Sequence, residues 1–527
     1  MNQPLNNTEN LQKLIDIGIA LSKEKNIDIL LEKILIEARK ISNSDGGTLY
    51  LITDNDTRLS YNIMHTESKD IYYGGTHTPV PDSIYPVKLY KNNEPNLHNA
   101  CVVCALKGET VNIEDAYSDK KYDFTGTKGF DAKYDYRSQS FLNVPLKNHK
   151  NNIIGVLQLL NAQDQNKKII PFTEELVHLV ESLASQASIA LTNQLLIEEQ
   201  KNLFKSFIQL VAEALEKKDK TTGGHCTRVP LITMMVARAI NNDVHGKYKK
   251  FKFNEDEMEE LYVAGWLHDF GKVSTPEHIM NKSTKLEGFY DKIEFIKLKL
   301  EILKRDKKIE LYNQSSKQNI EENSVEAINK INKDITFLEK CNIGGEYMED
   351  DLKNRVVEIS KQKINIDGER KNLLSSKEVE YLNITKGTLS QEDFVIMKQH
   401  VELTYELLDK LPYPKHLKKV PFYAGCHHEK INGKGYPNGY SGDKLPLQAR
   451  IIAIADVFEG LTASDRPYKK GYKLSKAINI LRNMALDNEI DVDLFNLFIN
   501  QKVYLKYAEN SIDASQFDSI NEKEMLI

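Results

Sequence analysis

The sequence predicts a multidomain protein: an N-terminal α/β domain, a long connecting helix, and a C-terminal all-α domain carrying a helical-hairpin insertion. Three observations predict it. Residues 8–190 mix helical and strand patterns, with turn residues between them. The run from about 177 to 218 contains neither Gly nor Pro, so nothing in it stops a helix. From 205 to about 510 the apolar residues recur almost everywhere at helical spacing.

The first domain, expected over 1–192, opens with NLQKLIDIGIALSKEKNIDILLEKILIEARKIS, whose apolar residues follow the period of one or two helices. GGTLYLIT, ETVNIEDA, SFLNVPLKN and NNIIGVLQLLNA read as strands between turn residues. FTEELVHLVESLASQASIALTNQLL is helical again, so the expected domain is helix, antiparallel sheet, helix. Cys101 and Cys104 form a C-x-x-C pair, but no second pair completes a four-sulfur metal site, and packing is the simpler reading.

The connecting helix is expected over 193–218. Ile189, Leu196, Leu203 and Leu210 recur every seven residues, with Asn193, Gln200, Phe207 and Ala214 as a companion stripe. A seven-residue repeat keeps one seam facing a partner helix, so this stretch predicts a parallel homodimer. Within the C-terminal domain, expected over 205–510, residues 284–387 differ in texture: rich in Lys, Glu and Asn, and poor in aromatics. Leu300/Leu303 and Ile328/Ile331 keep heptad spacing on either side of the polar NQSSKQNIEENS, which predicts a helical hairpin without chemistry of its own.

Composition excludes several classes. The 527 residues carry a net charge of −5, so no global field attracts nucleic acid, and the basic run at 247–252 reads as solvated surface. No apolar run approaches the roughly 20 residues of a membrane span. The first residues lack a signal-peptide layout, and five cysteines make no disulfide framework. The expected location is the cytoplasm, with no membrane partner.

The chemistry gathers in the C-terminal region. His225 stands in TTGGHCTRV, His268 and Asp269 in AGWLHDFGK, and His400 in IMKQHVELT. His427 and His428 stand in AGCHHEK, and Asp456 in IIAIADVFEG. Most of these lie in or beside apolar helical patterns, where an unpartnered imidazole or carboxylate is costly. One buried histidine finds a partner easily; seven such groups on several helices need a common one. Imidazoles with carboxylates suit Fe, Mn or Zn better than Ca or Mg. The set exceeds one tetrahedral site and matches two divalent metals sharing a carboxylate, an arrangement suited to phosphoester hydrolysis.

HDFGK at 268–272, HHEKINGKGYP at 427–437 and IADVFEGLTASDRPYKK at 454–470 together resemble the HD-GYP family of the HD phosphohydrolase superfamily, whose members hydrolyse cyclic di-GMP. The resemblance covers about 205–280 and 388–500. It implies that His225, His268, Asp269 and Asp456 hold one metal, and that Asp269 bridges to a second held by His400, His427 and His428. Iron or manganese is the implied metal, cyclic di-GMP the implied substrate, and linear pGpG the implied first product, with further cleavage to GMP left open. Asp269 and Lys272 take the catalytic roles, Lys272 by neutralising phosphoryl charge. Arg466 and Lys469 resemble phosphate-contacting residues, Gly435 and Tyr436 shape a loop near a guanine base, and Glu429 is expected to orient a ligand histidine.

Two positions depart from the pattern. Thr221 stands where some members carry a glutamate for a third metal, so two metals are expected. Asn432 stands where aspartate is usual, keeping the turn chemistry but not the charge. Two other readings keep less of the resemblance: a cyclic di-GMP receptor or scaffold without turnover, and a hydrolase of another cyclic dinucleotide or nucleotide. YDYRSQSFLNVPLKNHKNNIIGVLQLLNA at 134–162 resembles GAF domains, a sensor fold, over about 27–192, which implies regulation by a small ligand. Asn161 and Phe172 fit the cyclic-nucleotide-binding pattern of that family, whereas Ala162 stands where its lysine belongs.

Overall fold

The computed structural model describes residues 5–53, 55–218, 224–314, 320–345, 347–464 and 471–527. The chain forms two compact units that divide between Phe204 and Lys205. Among the described residues no helix is long and apolar enough to cross a membrane.

In the first unit the strand patterns become one antiparallel sheet. Its order is 71–74, 58–66, 44–53, 153–163, 141–147, 111–113, so the two long hairpins meet at its centre. Side chains alternate across a strand, and here both faces are covered. Leu49, Leu142, Val144, Leu157 and Leu159 pack with Leu30, Ile34 and Leu35 of helix Ile27–Ser42 and with Leu183 and Ala187 of the long helix. Tyr50, Phe141, Val156 and Leu160 on the other face pack with helix Ala100–Lys107. Cys101 and Cys104 lie inside that second cluster. The Cys101 thiol donates to Asn99 Oδ1 at 2.9 Å, and burial pushes its pKa up to about 12. A thiol held protonated in this way is a packing residue.

The long helix runs without a break from Glu174 to Lys218. Val180, Leu183 and Leu191 are buried in the first unit, and Ile208, Ala212 and Leu215 in the second. Ile189, Leu196, Leu203 and Leu210 all remain exposed, Leu203 by 72%.

The second unit is built from helices His225–Asn241, Glu255–Leu267, Gln391–Leu408, Val420–Ala424 and Leu447–Thr462, followed by three shorter ones from 474 to 511. Helix 447–462 packs on 225–241, which packs on 255–267, while helix 391–408 packs on the tight turn Phe270–Ser274. The buried seam includes Val229, Ile232, Leu261, Ile451, Ala455 and Phe458. Two starts are fixed by reciprocal capping boxes, Asn254 with Glu257 and Ser390 with Asp393, which satisfy the free N–H groups of the first turn.

Between the turn and helix 391–408 lies the insertion. Helices Ile293–Gln314 and Ile320–Asn342 pack together through Ile296, Leu300, Leu303, Ile331 and Leu338. The insertion is not wholly helical. After helix Asp350–Ser360 comes a two-stranded hairpin, Lys363–Ile366 paired with Glu369–Asn372. Its turn places Asp367 at φ +55° and Gly368 at φ +80°, the geometry that Asp-Gly adopts most easily in a tight hairpin.

Candidate metal centre

The local geometry starts with the histidines. His268 ends helix 255–267, and its Nδ1 donates to the carbonyl of Gly265 at 2.8 Å. His400 does the same to Met397 at 2.5 Å, and His427 to Ala424 at 2.6 Å. Each bond reaches back three residues to its own helix or helix end. It fixes the tautomer and leaves Nε2 as a lone-pair donor. His225, first residue of its helix, uses a side chain instead: its Nδ1 meets Glu459 Oε2 at 2.5 Å. Arg228, one turn further on, holds the other Glu459 oxygen through Nε at 2.8 Å.

The freed Nε2 atoms converge on Asp269. One oxygen, Oδ2, lies 3.3 Å from His225 Nε2 and 3.4 Å from His268 Nε2. The other, Oδ1, lies 3.3 Å from His400 Nε2 and 3.8 Å from His427 Nε2. The donor atoms of His225, His268 and Asp456 lie within 4.8 Å of one another, and so do those of His400, His427 and His428. The structure thus brings all seven candidate ligands together, as two trios with Asp269 between them. Asp269 is held in its ionised form: burial opposes the charge, but Lys272 and the neighbouring histidines outweigh it. Burial keeps the His428 imidazole neutral by lowering its pKa to about 4, and burial lowers that of His427 well below its ordinary value too. Neutral imidazoles around a carboxylate are the ligand forms that a metal needs.

The residues fit a metal by a second observation. Nε2 of His400 and Nε2 of His427 are buried and have no hydrogen-bond partner. Each unsatisfied buried group costs about 1–3 kcal/mol. A cation between the rings would remove that cost.

Gly271 explains how the two trios come so close. Its N–H donates to Thr404 Oγ1 at 2.8 Å, and a Cβ there would sit 1.9 Å from the carbonyl oxygen of His400. Only glycine lets the turn that carries Asp269 press against the helix that carries His400. Lys272 follows, with Nζ 2.7 Å from Asp269 Oδ2.

The glycine-tyrosine-proline loop closes one side. Gly435 lies against the backbone of Glu429 and Lys430, where a Cβ would come within 2.5 Å of Glu429 Cα. Tyr436 stacks on His428, with ring centroids 4.9 Å apart. Glu429 does not orient a histidine, contrary to the sequence expectation. Its buried carboxylate accepts the N–H groups of Asn438, Gly439 and Tyr440 at 2.7–3.1 Å and so braces the loop. The backbone carbonyls three residues upstream already satisfy three of the rings, and Glu459 satisfies a fourth. Glu459 and Arg228 were not singled out from sequence; Glu459 lies three residues beyond Asp456, on the same helix face. Asn432 completes the loop in two ways: its oxygen accepts from Lys434 N at 3.0 Å, and its amide donates to the Asp487 carbonyl at 3.0 Å. An aspartate could not make the second bond. Thr221, Arg466 and Lys469 lie outside the described residues.

Family models match both parts of the chain, and curated relatives match segments of it. Family models described as "HD domain" match residues 222–357 and 377–494, and one described as "GAF domain" matches 26–191. The chain therefore carries a GAF domain followed by HD-domain segments. It is 38% identical over 109 residues to a 3'3'-cGAMP-specific phosphodiesterase of Vibrio cholerae, covering 21% of this chain and 23% of the relative. It is 38% identical over 95 residues to a cyclic di-GMP phosphodiesterase response regulator of Xanthomonas campestris, covering 18% and 25%. Against a cyclic di-GMP phosphodiesterase of Thermotoga maritima the identity is 34% over 99 residues, covering 19% and 26%. The matched segments span about a quarter of these curated relatives.

Proposed function

We propose that this protein is a metal-dependent phosphodiesterase that opens cyclic di-GMP to linear pGpG under the control of its GAF domain. The observation that carries this reading is the placement of Asp269, one oxygen toward each histidine trio. Two divalent ions bound there, iron or manganese, would supply an activated water and Lewis-acid charge for an in-line phosphoryl displacement.

The chain's own residues do the rest. The seven candidate ligands, most of them buried, would hold the reacting end where water is scarce and each charge counts for more. Lys272 carries its ammonium on the rim of Asp269 and offsets the negative charge that grows on the phosphoryl oxygens. Arg466 and Lys469 take the phosphate-contacting roles that their motif implies. The loop with Gly435 and Tyr436, held in place by Glu429, shapes the approach for a purine base.

Control by the first unit has a physical route. The long helix ends at Lys218, whose Nζ donates to the carbonyls of Val273, inside the turn that follows Asp269 and carries Lys272, and of Thr275 just after it. A shift of that helix pulls on the turn. The exposed heptad seam of the same helix supports a parallel homodimer. The five free cysteines accord with action in the reducing cytoplasm.

A second substrate deserves a direct comparison, because several similar relatives carry the name 3'3'-cGAMP-specific phosphodiesterase. The test is turnover of cyclic di-GMP and 3'3'-cGAMP by anaerobically purified protein with its metal content measured. Hydrolysis of cyclic di-GMP, abolished by chelation and by His268→Ala or Asp269→Ala, is expected. Metal-loaded protein that leaves cyclic di-GMP intact would refute the reading; preferential cleavage of 3'3'-cGAMP would move it to that substrate.

A further inference from the structure

Lys398 lies two residues before His400 on the same helix. Its Nζ is 4.8 Å from the centroid of the Tyr436 ring and 4.6 Å from that of Phe394. The Tyr436 ring is the one that stacks on His428, at 25° between planes. Lys398 is half-buried, and among the described residues no carboxylate lies within ion-pair distance of it. Aromatic faces attract an ammonium and hold it in place, but they do not cancel its charge. A fixed, uncompensated cation therefore stands one aromatic ring away from a ligand of the second trio.

We propose that Lys398 binds the second, unreacting phosphodiester of a cyclic dinucleotide whose first phosphodiester lies at the metal ligands. The assignment rests on the phosphodiesterase reading above. A cyclic dinucleotide carries two anionic diesters on opposite sides of one macrocycle. When one of them meets the buried ligands, the other is held away from them across the macrocycle. A nearby ammonium with no internal counter-charge fits that anion, and Lys272, placed on Asp269, serves the reacting one. Tyr436 then has a defined part: it couples the position of Lys398 to that of His428. Lys398 makes substrates with two phosphodiesters bind better than substrates with one, and it does not change the bond-breaking step.

The experiment uses full-length, metal-loaded protein with Lys398→Met, which keeps the apolar stem, and Lys398→Arg, which keeps the charge. Steady-state rates are measured with cyclic di-GMP and with bis(para-nitrophenyl) phosphate, a diester with no second phosphate. Lys398→Met is expected to raise KM for cyclic di-GMP about tenfold with kcat within about twofold, and to leave kcat/KM for the nitrophenyl diester within about twofold. Lys398→Arg is expected to recover most of the KM. Equal losses on both substrates would overturn the assignment, because they would put Lys398 at the reacting phosphate. An unchanged KM in Lys398→Met would overturn it as well. A wild-type protein that cleaves the nitrophenyl diester but neither binds nor cleaves cyclic di-GMP would overturn the substrate reading, and this assignment with it. Normal wild-type turnover with an unaltered Lys398→Met would overturn the lysine's role alone.

Discussion

Glu459 holds Nδ1 of His225 at 2.5 Å and shares its other oxygen with Arg228. All three groups are mostly buried, so the chain Arg228–Glu459–His225 sets the direction of the His225 lone pair. Burial works against charge on His225, but the carboxylates of Asp269, Glu459 and Asp456 raise its pKa to about 10, so a metal at Nε2 would displace a proton there and expose the lone pair that Glu459 aims. Glu459→Gln keeps the shape and removes the charge. Partners of this kind are worth about 10–100-fold in metal affinity. Metal titration of Glu459→Gln is expected to show that loss at one of two sites, with the other unchanged. Equal affinity at both sites, as in the wild type, would mean that Glu459 is only a packing residue.

Gly271→Ala tests the close approach that joins the trios. The added Cβ meets backbone at 1.9 Å, which no rotamer change can relieve. Destabilisation of at least about 2 kcal/mol is expected for the second unit, with loss of bound metal. Thermal denaturation should show the second unit melting earlier and the first unit unchanged.

His65 gives the first unit a pH dependence. It is buried, neither ring nitrogen has a partner, and burial together with Arg39 and His77 lowers its pKa to about 4, with Glu32 opposing. The unfolded chain takes up this proton near pH 6.5 and the folded chain does not. Above pH 6.5 the ring is neutral in both states and adds no pH dependence, and the unit loses stability as pH falls from there toward 4. At pH 5 the loss is about 2 kcal/mol. His65→Leu should flatten the melting temperature of the first unit between pH 7 and pH 5. An equally steep slope in the variant would assign the effect to other groups.

The exposed leucines of the long helix predict an oligomer. Leu203 and Leu210 are exposed by 72% and 62% in the single chain. If these residues form the seam of a parallel pair, Leu203→Lys combined with Leu210→Lys places like charges in it and should convert a dimer to a monomer in sedimentation equilibrium. A wild-type monomer at micromolar concentration would remove this face from the argument.

Much of this molecule was legible before any coordinates. The seven candidate ligands stood out because buried polar groups on apolar helices demand a shared partner, and the resemblance to the HD-GYP motifs implied how they divide between two metals. The strands at 141–147 and 153–163 were plain from their alternation and turns. Other features depended on contacts between distant segments. Glu459 reads in sequence as one more polar residue on a helix, and only the fold shows it meeting His225, 234 positions away. Glu429 was misread because nothing local tells a histidine partner from a loop brace; its backbone acceptor role appears only when the loop at 438–440 folds over it. The hairpin at 363–372 did carry a local signal, Asp367-Gly368, which the surrounding lysine-rich helical texture masked.

The base of the insertion has one more consequence. The chain departs at Lys282 and comes back at Thr388, 106 positions later, where the Thr388 hydroxyl donates to the Lys282 carbonyl at 3.0 Å. The Lys282 ammonium then clasps Asp393 at 2.7 Å, on the first turn of the helix that leads to His400. Lys377 of the insertion adds a second tie to the same helix, 3.4 Å from Glu392. Because entry and exit lie side by side, a short linker in place of 284–387 would span the gap without stretching the chain on either side.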